Sequence, residues 1–226
     1  MATTYPLKWD QRGEKKYQNG ISKGVLYKKD PTTGKWIGVA WNGLTAVTES
    51  PEGAEKNDQY ADNIKYASLR SAETFGGTIE AFTYPEEFES CDGSASLGDG
   101  KITIGQQTRE MFRLCYRSEQ GNDEEGANYG YKLHLVYGCT CSPSEKNYET
   151  INDNPDLTSM SWEFDSTPMD VTGHKPTSLL VIDSTKFVTQ AEQELLGDIE
   201  DILYGVQGTP AELPDPDDII ALLPSD

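Results

Sequence analysis

The chain has 226 residues, with 38 Asp and Glu against 19 Lys and Arg and a formal net charge of −19. Hydrophobic residues make up 35% of it, beside 21 Gly and 12 Pro, which suits one β domain with arms and much surface that something else covers. Holding nucleic acid by its phosphates needs clustered Lys and Arg, so that class is excluded, and no apolar run approaches the about 18 residues of a membrane helix.

The charge is unevenly spread. Residues 1–50 hold eight Lys and Arg and four Asp and Glu, whereas residues 187–226 hold ten Asp and Glu and no Lys or Arg. Opposite ends of this kind suit one end of a subunit meeting the other end of its neighbour, and suit a solubilising tail equally. The stretch Met1 to Trp9 lacks the basic-then-apolar layout of a secretion signal, so assembly in the cytoplasm is the expectation. Cys91, Cys115, Cys139 and Cys141 are then expected to be buried, inert thiols. Cys139 and Cys141 stand too close for a zinc knuckle, and no metal or other cofactor is expected.

The first fifty residues read as β-rich. Apolar stretches Ile21–Tyr27 and Trp36–Val47 flank an interval opened by Asp30-Pro31 and closed by Gly34, which predicts a hairpin. Glu49 to Gln59 is polar and without periodicity, and is longer than a hairpin connection. Such a loop is a contact element or plain surface. Next, Ile64, Tyr66 and Ser68 alternate with Lys65, Ala67 and Leu69, and Thr78–Thr83 is rich in branched and aromatic residues. Thr83 and Glu86 bracket Pro85 in the pattern of a capping box. Residues 60–90 are therefore predicted as strand, turn, strand and helix, the centre of a sheet with a helix against it. The glycine-rich stretch Cys91–Gly100 lacks the setting of a phosphate loop and reads as a connection.

Met111–Arg117 predicts a strand with Phe112, Leu114 and Tyr116 on one face and Arg113, Cys115 and Arg117 on the other. Tyr131–Tyr137 predicts its partner, across an acidic tip, Ser118–Gly130, whose spacing does not fit a calcium loop. Thr158–Asp165 alternates most cleanly: Met160, Trp162 and Phe164 share one face, and Ser159, Ser161, Glu163 and Asp165 the other. Pro176–Asp183 reads as a last strand, apolar and buried on both sides. Thr189 and Glu192 form a second capping box, before Leu195, Leu196, Ile199, Ile202 and Leu203 at helical spacing and Gly205 at the end. Leu213–Leu223 adds a short helical turn that docks as an arm.

Nucleophilic catalysis needs a base in reach of a nucleophile, and the two histidines, His134 and His174, sit in no recognisable motif. His134 reads as a packing or face-lining residue in mid-strand. No pair of carboxylates stands out for glycoside cleavage. No catalytic residues are assigned, and the expectation is a protein that is not an enzyme.

Several segments together resemble the major tail proteins of long-tailed bacteriophages. They are Trp41–Thr45, Ser50–Glu55, Tyr60–Tyr66, Glu80–Phe88, Tyr129–Tyr137, Ser142–Lys146, Thr167–Ser178 and Leu213–Leu223, in order from Leu7 to Leu223. The resemblance implies a mainly β, sandwich or barrel-like tail tube fold with a flanking α-helix. The tube domain would span 1–204, including a long inter-ring loop at 49–59 and the helix at 189–204, with an acidic C-terminal arm at 205–226. It implies a structural virion protein, assembled in the bacterial cytoplasm, whose hexameric rings stack into a hollow tube conducting phage DNA. Partners would be other copies of itself and the tail terminator, tape-measure and tip proteins, with no specific hold on DNA and no membrane insertion. Candidate inter-ring residues are Glu49, Ser50, Pro51, Glu52, Gly53, Ala54, Glu55, Lys56, Asn57 and Asp58. Candidate lumen residues are Ser159, Ser161, Glu163 and Asp165. The alternatives are the inner tube of a contractile tail or injection machine, and a soluble β-sandwich binding module, for example for carbohydrate.

Overall fold

The computed structural model describes residues 7–223, apart from 54, 72, 99, 147, 149 and 151–156. The N-terminal half contributes β1 (Tyr17–Lys29), β2 (Trp36–Ala40), β3 (Leu44–Glu49), β4 (Glu52–Gly53), β5 (Lys56–Ala61), β6 (Ile64–Arg70), β7 (Glu73–Thr74) and β8 (Gly76–Ala81). After α1 (Glu89–Asp92) come β9 (Ala95–Leu97), β10 (Ile102–Ile104), β11 (Phe112–Asn122), β12 (Gly126–Cys141), β13 (Met160–Ser166) and β14 (Leu179–Asp183). Two helices close the chain, α2 (Gln190–Tyr204) and α3 (Pro216–Ile220). The fold is mainly β with a flanking helix, as the sequence predicts.

One antiparallel sheet dominates, in the order β2-β1-β11-β12-β13-β8-β3, with β14 also on β12. The hairpin predicted from the Asp30–Gly34 turn is present, with Lys29 opposite Trp36. The apolar stretch Trp36–Val47 is nevertheless two strands. Trp41-Asn42-Gly43 turns the chain, and β3 leaves β2 to pair with β8 at the far edge. Gly24 of β1 lies against the Leu44 side chain of β3, so the two ends of the sheet approach each other and the sheet curls like a barrel. Bulges in β1 between Asn19 and Ile21 and between Ser22 and Val25 assist the bend.

The curl encloses one core. Leu26, Ile79, Phe88, Phe112, Leu114, Val136, Trp162 and Phe164 are buried in it. Phe88 is its aromatic centre, 4.6 Å from Trp41 and about edge-on to Phe112 and Trp162 at 5.5 and 5.3 Å between centroids. The opposite face of β1, β11 and β12 carries a second core. There Tyr27, Cys115, Leu133, Leu135 and Tyr137 meet Leu196, Ile199 and Leu203 of α2. The alternation read from Met111–Arg117 and Thr158–Asp165 is thus realised, and β11 is buried on both faces because it lies between the two cores. The α2 capping box is formed, Thr189 and Glu192 each satisfying the other's backbone. Gly205 ends the helix at φ 76°.

Several expectations are corrected. The polar stretch 49–59 is no loop: it holds the end of β3, then β4 and β5. Its strands lack apolar alternation because both their faces lie in solvent, so period 2 leaves no trace in the residues. Residues 60–70 belong to a separate two-stranded sheet, β5–β6, and not to the centre of the main one; only β8 from that region takes a central place. The helix after Pro85 is a 3-10 turn followed by the four-residue α1, and Thr83 makes no cap, since Pro85 itself is the N-cap residue. The glycine-rich stretch at 91–100 contains β9, which pairs with β10. The acidic tip is short, because β11 runs to Asn122 and β12 starts at Gly126. In β14, Ile182 is buried but Val181 is 43% exposed, so that strand is covered on one face only.

Candidate functional site

The feature that departs most from a self-contained domain is the excursion from Ser50 to Phe75. β4 pairs with β7 near its root, and β5 pairs with β6 beyond it. Its tip is Asp62-Asn63, at φ 49° and 62°, the left-handed pair that a two-residue type I′ hairpin turn requires. Both strands rise about 3.3 Å per residue, so the six-residue β5 alone extends about 20 Å. Tyr60, Ile64, Tyr66 and Leu69 are 69, 66, 80 and 60% exposed. Lys56 and Lys65 hold Asp58 at 3.3 and 2.9 Å, which fixes the strands to each other.

Of the candidate inter-ring residues, Glu52 and Gly53 form β4, and Lys56, Asn57 and Asp58 open β5. Pro51 and Glu55 are exposed between strands, and Ala54 lies outside the described residues. Ser50 donates its N–H to the Gly76 carbonyl at 2.8 Å, and the Glu55 N–H donates to Ser71 Oγ at 3.0 Å, so the two limbs are laced at the root. Sequence reasoning placed the contact in the first limb and passed over the second. The Asp62-Asn63 pair between Tyr60 and Ile64 was the signal that marks the whole excursion as one hairpin.

The candidate lumen residues lie on the face of β13 away from Trp162 and Phe164. Ser161 pairs with Glu80 and Glu163 with Thr78 on β8, and Glu80, Glu163 and Asp165 are exposed. They make an acidic stripe on the outside of the curled sheet. Ser159 is exposed too, but precedes the strand. A shallow cavity of about 270 Å³ is lined by Ser50, Glu52, Glu163 and Asp165 together, so the arm root and the acidic stripe adjoin.

Glu49, at the last position before the arm, turns inward. Its Oε1 lies 2.8 Å from His134 Nδ1 and accepts the Tyr116 hydroxyl, and the other imidazole nitrogen is 3.0 Å from Ser118 Oγ. The Tyr116 ring stacks on the imidazole at 4.6 Å and 10°. The hydrogen bond from His134 holds the Glu49 carboxyl below the usual carboxylate range against the opposing effect of burial, with help from Tyr116. The distances match a serine, base and acid relay. Ser118, however, lies on β11 with β1 and β12 on either side, Ile21 and Lys132 being its register partners. A strand paired on both sides has no spare backbone N–H groups to receive an oxyanion. What the cluster does is tie the arm root to the middle of the sheet.

The acidic C-terminal stretch is fastened to the body. Leu213 donates its N–H to the Trp36 carbonyl at 3.1 Å, and Gly38 donates to the Ala211 carbonyl at 2.8 Å. Arg113, 3% exposed, lies between the rings of Trp36 and Tyr137 at 4.3 and 5.1 Å. It donates to the Leu213 carbonyl at 2.8 Å and to Asp215 Oδ1 at 2.5 Å. Leu213 and Ile219 are buried in the second core.

The four cysteines are free and buried, and burial raises their thiols, Cys91 to about 11 and Cys115 to about 12. Among the described residues no His, Cys, Asp and Glu cluster is placed to hold a metal ion, and no helix is long and apolar enough to cross a membrane.

No protein-family model matches the sequence, and no curated protein matches it. Among solved structures, one similar chain comes from the cryo-EM structure of an extracellular contractile injection system, the PVC sheath–tube complex in its extended state. It is 10% identical, the match covers 71% of this chain and 88% of that one, and the TM-score is 0.32. A likeness of that size carries no argument about what this chain does.

Proposed function

We propose that this chain is a tube-like structural subunit that works by assembling with copies of itself, and in finer terms a major tail tube protein of a long-tailed phage. The observation that supports it is the β5–β6 arm. A two-stranded hairpin is marginal alone in water, yet this one holds Tyr60, Ile64, Tyr66 and Leu69 in solvent at 60–80% exposure. Burying a side chain of that size fully contributes about 1.5–3 kcal/mol, so docking the arm is worth roughly 4–8 kcal/mol before the costs of association. A copy whose arm reaches the next one makes a head-to-tail contact, which builds rings and filaments rather than closed dimers.

Two further features agree with the reading. β3 is an edge strand of the main sheet, ready to pair with a neighbour's edge, whereas the outer edge of β2 is taken by residues 211–213. The acidic stripe of Glu80, Glu163 and Asp165 suits a lumen wall, because like charges keep phosphates from sticking while DNA slides past. In this role the protein has no catalytic function, and the Glu49–His134–Ser118 cluster is a structural brace. Stacked hexameric rings, a tail terminator, a tape-measure protein and a tip complex complete the proposed setting.

The test is negative-stain electron microscopy and light scattering of the purified chain at rising concentration, beside a Tyr60→Ser, Tyr66→Ser double variant. Both tyrosines are exposed, so the variant leaves the cores intact. Rings or tubes from the parent, and rings without tubes from the variant, are the expected outcome. A parent that stays monomeric throughout, and retains its monomeric state with a preformed tail tip added, overturns the proposal.

A further inference from the structure

Beyond β8 the chain makes a second excursion, the hairpin β9–β10. Ala95 pairs with Ile104 and Leu97 with Ile102, so these four side chains share one face, and Ser96 and Thr103 share the other. Leu97, Ile102 and Ile104 are 49, 63 and 40% exposed. Two strands of three residues have no core of their own, and an aliphatic face held in water on so slight a hairpin is a surface for something to cover.

The same pairing logic divides the arm. In β5–β6, Asn57 lies opposite Leu69, Gln59 opposite Ala67 and Ala61 opposite Ile64, which puts six uncharged residues on one face. The register shift between Gln59 and Tyr60 adds one residue to β6, and that keeps Ile64 on the same face as Ala67. Lys56, Asp58, Lys65 and Arg70 fall on the other face, where Asp58 holds both lysines.

The two aliphatic faces belong to different ends of the first core. At the arm base the Ser166 N–H, at the end of β13, donates to the Phe75 carbonyl at 2.9 Å, and Glu49 accepts the Tyr116 hydroxyl. Phe88, just before α1, meets Trp162 and Phe112, which lie about 13 Å back along the same two strands. The root of β9–β10 is tied to α1, because the Ser94 N–H donates to the Glu89 carbonyl at 2.8 Å. A copy stacked head to tail on the first therefore brings its β9–β10 face toward an arm that reaches about 20 Å. Another group of exposed aliphatics, Ile220, Leu222 and Leu223 at α3, lies beside Asp217 and Asp218, so docking there desolvates carboxylates. We infer that the aliphatic face of β9–β10 is the seat for the β5–β6 arm of a second copy, with Ile64 and Ala67 against Leu97, Ile102 and Ile104. The inference rests on the self-assembly proposed above and names where the arm lands. The paired positions of both faces carry no charge, and they pack as two small sheets about 10 Å apart.

The test replaces Ile102, an exposed residue, by the photocrosslinker p-benzoylphenylalanine in the full chain. Ordinary and ¹⁵N-labelled copies are mixed where the parent forms rings or tubes, irradiated, and mapped by peptide mass. Position 102 should link to residues 56–70 of another copy. Ile102→Lys should raise the concentration for half-assembly about tenfold or more, and adding Ile64→Glu to the same chain should restore it. Links from position 102 to another segment, α3 included, or assemblies without links, overturn the seat and leave the self-assembly reading standing. Unchanged assembly of Ile102→Lys, with its fold intact by circular dichroism, does the same. A parent that never assembles overturns both.

Discussion

Removing the Arg113 guanidinium tests whether the C-terminal strap is held by a specific latch or only by apolar burial. Arg113→Met keeps a stem of similar length between Trp36 and Tyr137 but loses both oxygen partners. The Leu213 carbonyl, on a residue that is fully buried, is then left without its charged donor, at about 1–3 kcal/mol. Asp215 is 57% exposed and regains water, so its ion pair counts for no more than about 1 kcal/mol. The stacked cation adds about 1–2 kcal/mol in this desolvated position. Relief from burying a charge offsets part of the loss. The net expectation is about 2–3 kcal/mol, or a fall of about 1 M in the urea midpoint with an unchanged slope. Hydrogen exchange should rise together at the Glu212, Leu213 and Ile219 amides, which bond to Ile202, Trp36 and Asp215. Arg113→Lys, which keeps the charge without the two-armed reach, should fall between. A midpoint within about 0.2 M of the parent, with exchange unchanged at those amides, refutes the latch and leaves Leu213 and Ile219 burial as the whole attachment.

Other outcomes follow from the same structure. The Glu49 carboxyl is held below the usual range in the folded state, so its contribution is complete above that range and is lost as pH falls through the depressed value. Glu49→Gln should therefore lower stability by about 1 kcal/mol at neutral pH, with the gap to the parent closing in acid; a gap independent of pH in urea titrations defeats the assignment. Burial raises all four thiols, so they should be silent to a thiol reagent at pH 8 and react together on unfolding in denaturant. Fast reaction of even one in the native state argues against the two-core packing. Gly138 sits at φ 64°, where a Cβ would collide with the Thr167 carbonyl oxygen. Gly138→Ala should cost about 2 kcal/mol or more in thermal unfolding, and a neutral result would show that β12 does not bend there.

The readable parts of the fold are those where one face is dry and the other wet. On β13, Trp162 and Phe164 are buried while Glu163 and Asp165 are exposed, and the residues announce this by strict alternation. Helix α2 was equally legible, since its cap, apolar stripe and terminal glycine are all local signals. The arm was illegible for the opposite reason. With both faces of β5 in solvent the pattern carries no period, and a run of polar residues reads as loop. Thr83 and Glu86 have the spacing of a cap, but spacing does not reveal that Pro85 holds the chain extended at ψ 147°.

The candidate site divides along the same line. By itself the sequence determined a β-rich chain with one amphipathic helix, buried thiols, an acidic C-terminal end and an acidic face on β13. Each of these depends on residue type and near-neighbour spacing, which the chain order preserves. Only the tertiary structure decided that Glu49 meets His134 across 85 positions, and that Arg113 clasps Leu213 and Asp215 across 100 and 102. Contacts of that kind are set by how the sheet curls and which strands become neighbours. That is a property of all the strands packed together, and no local stretch of residues encodes it.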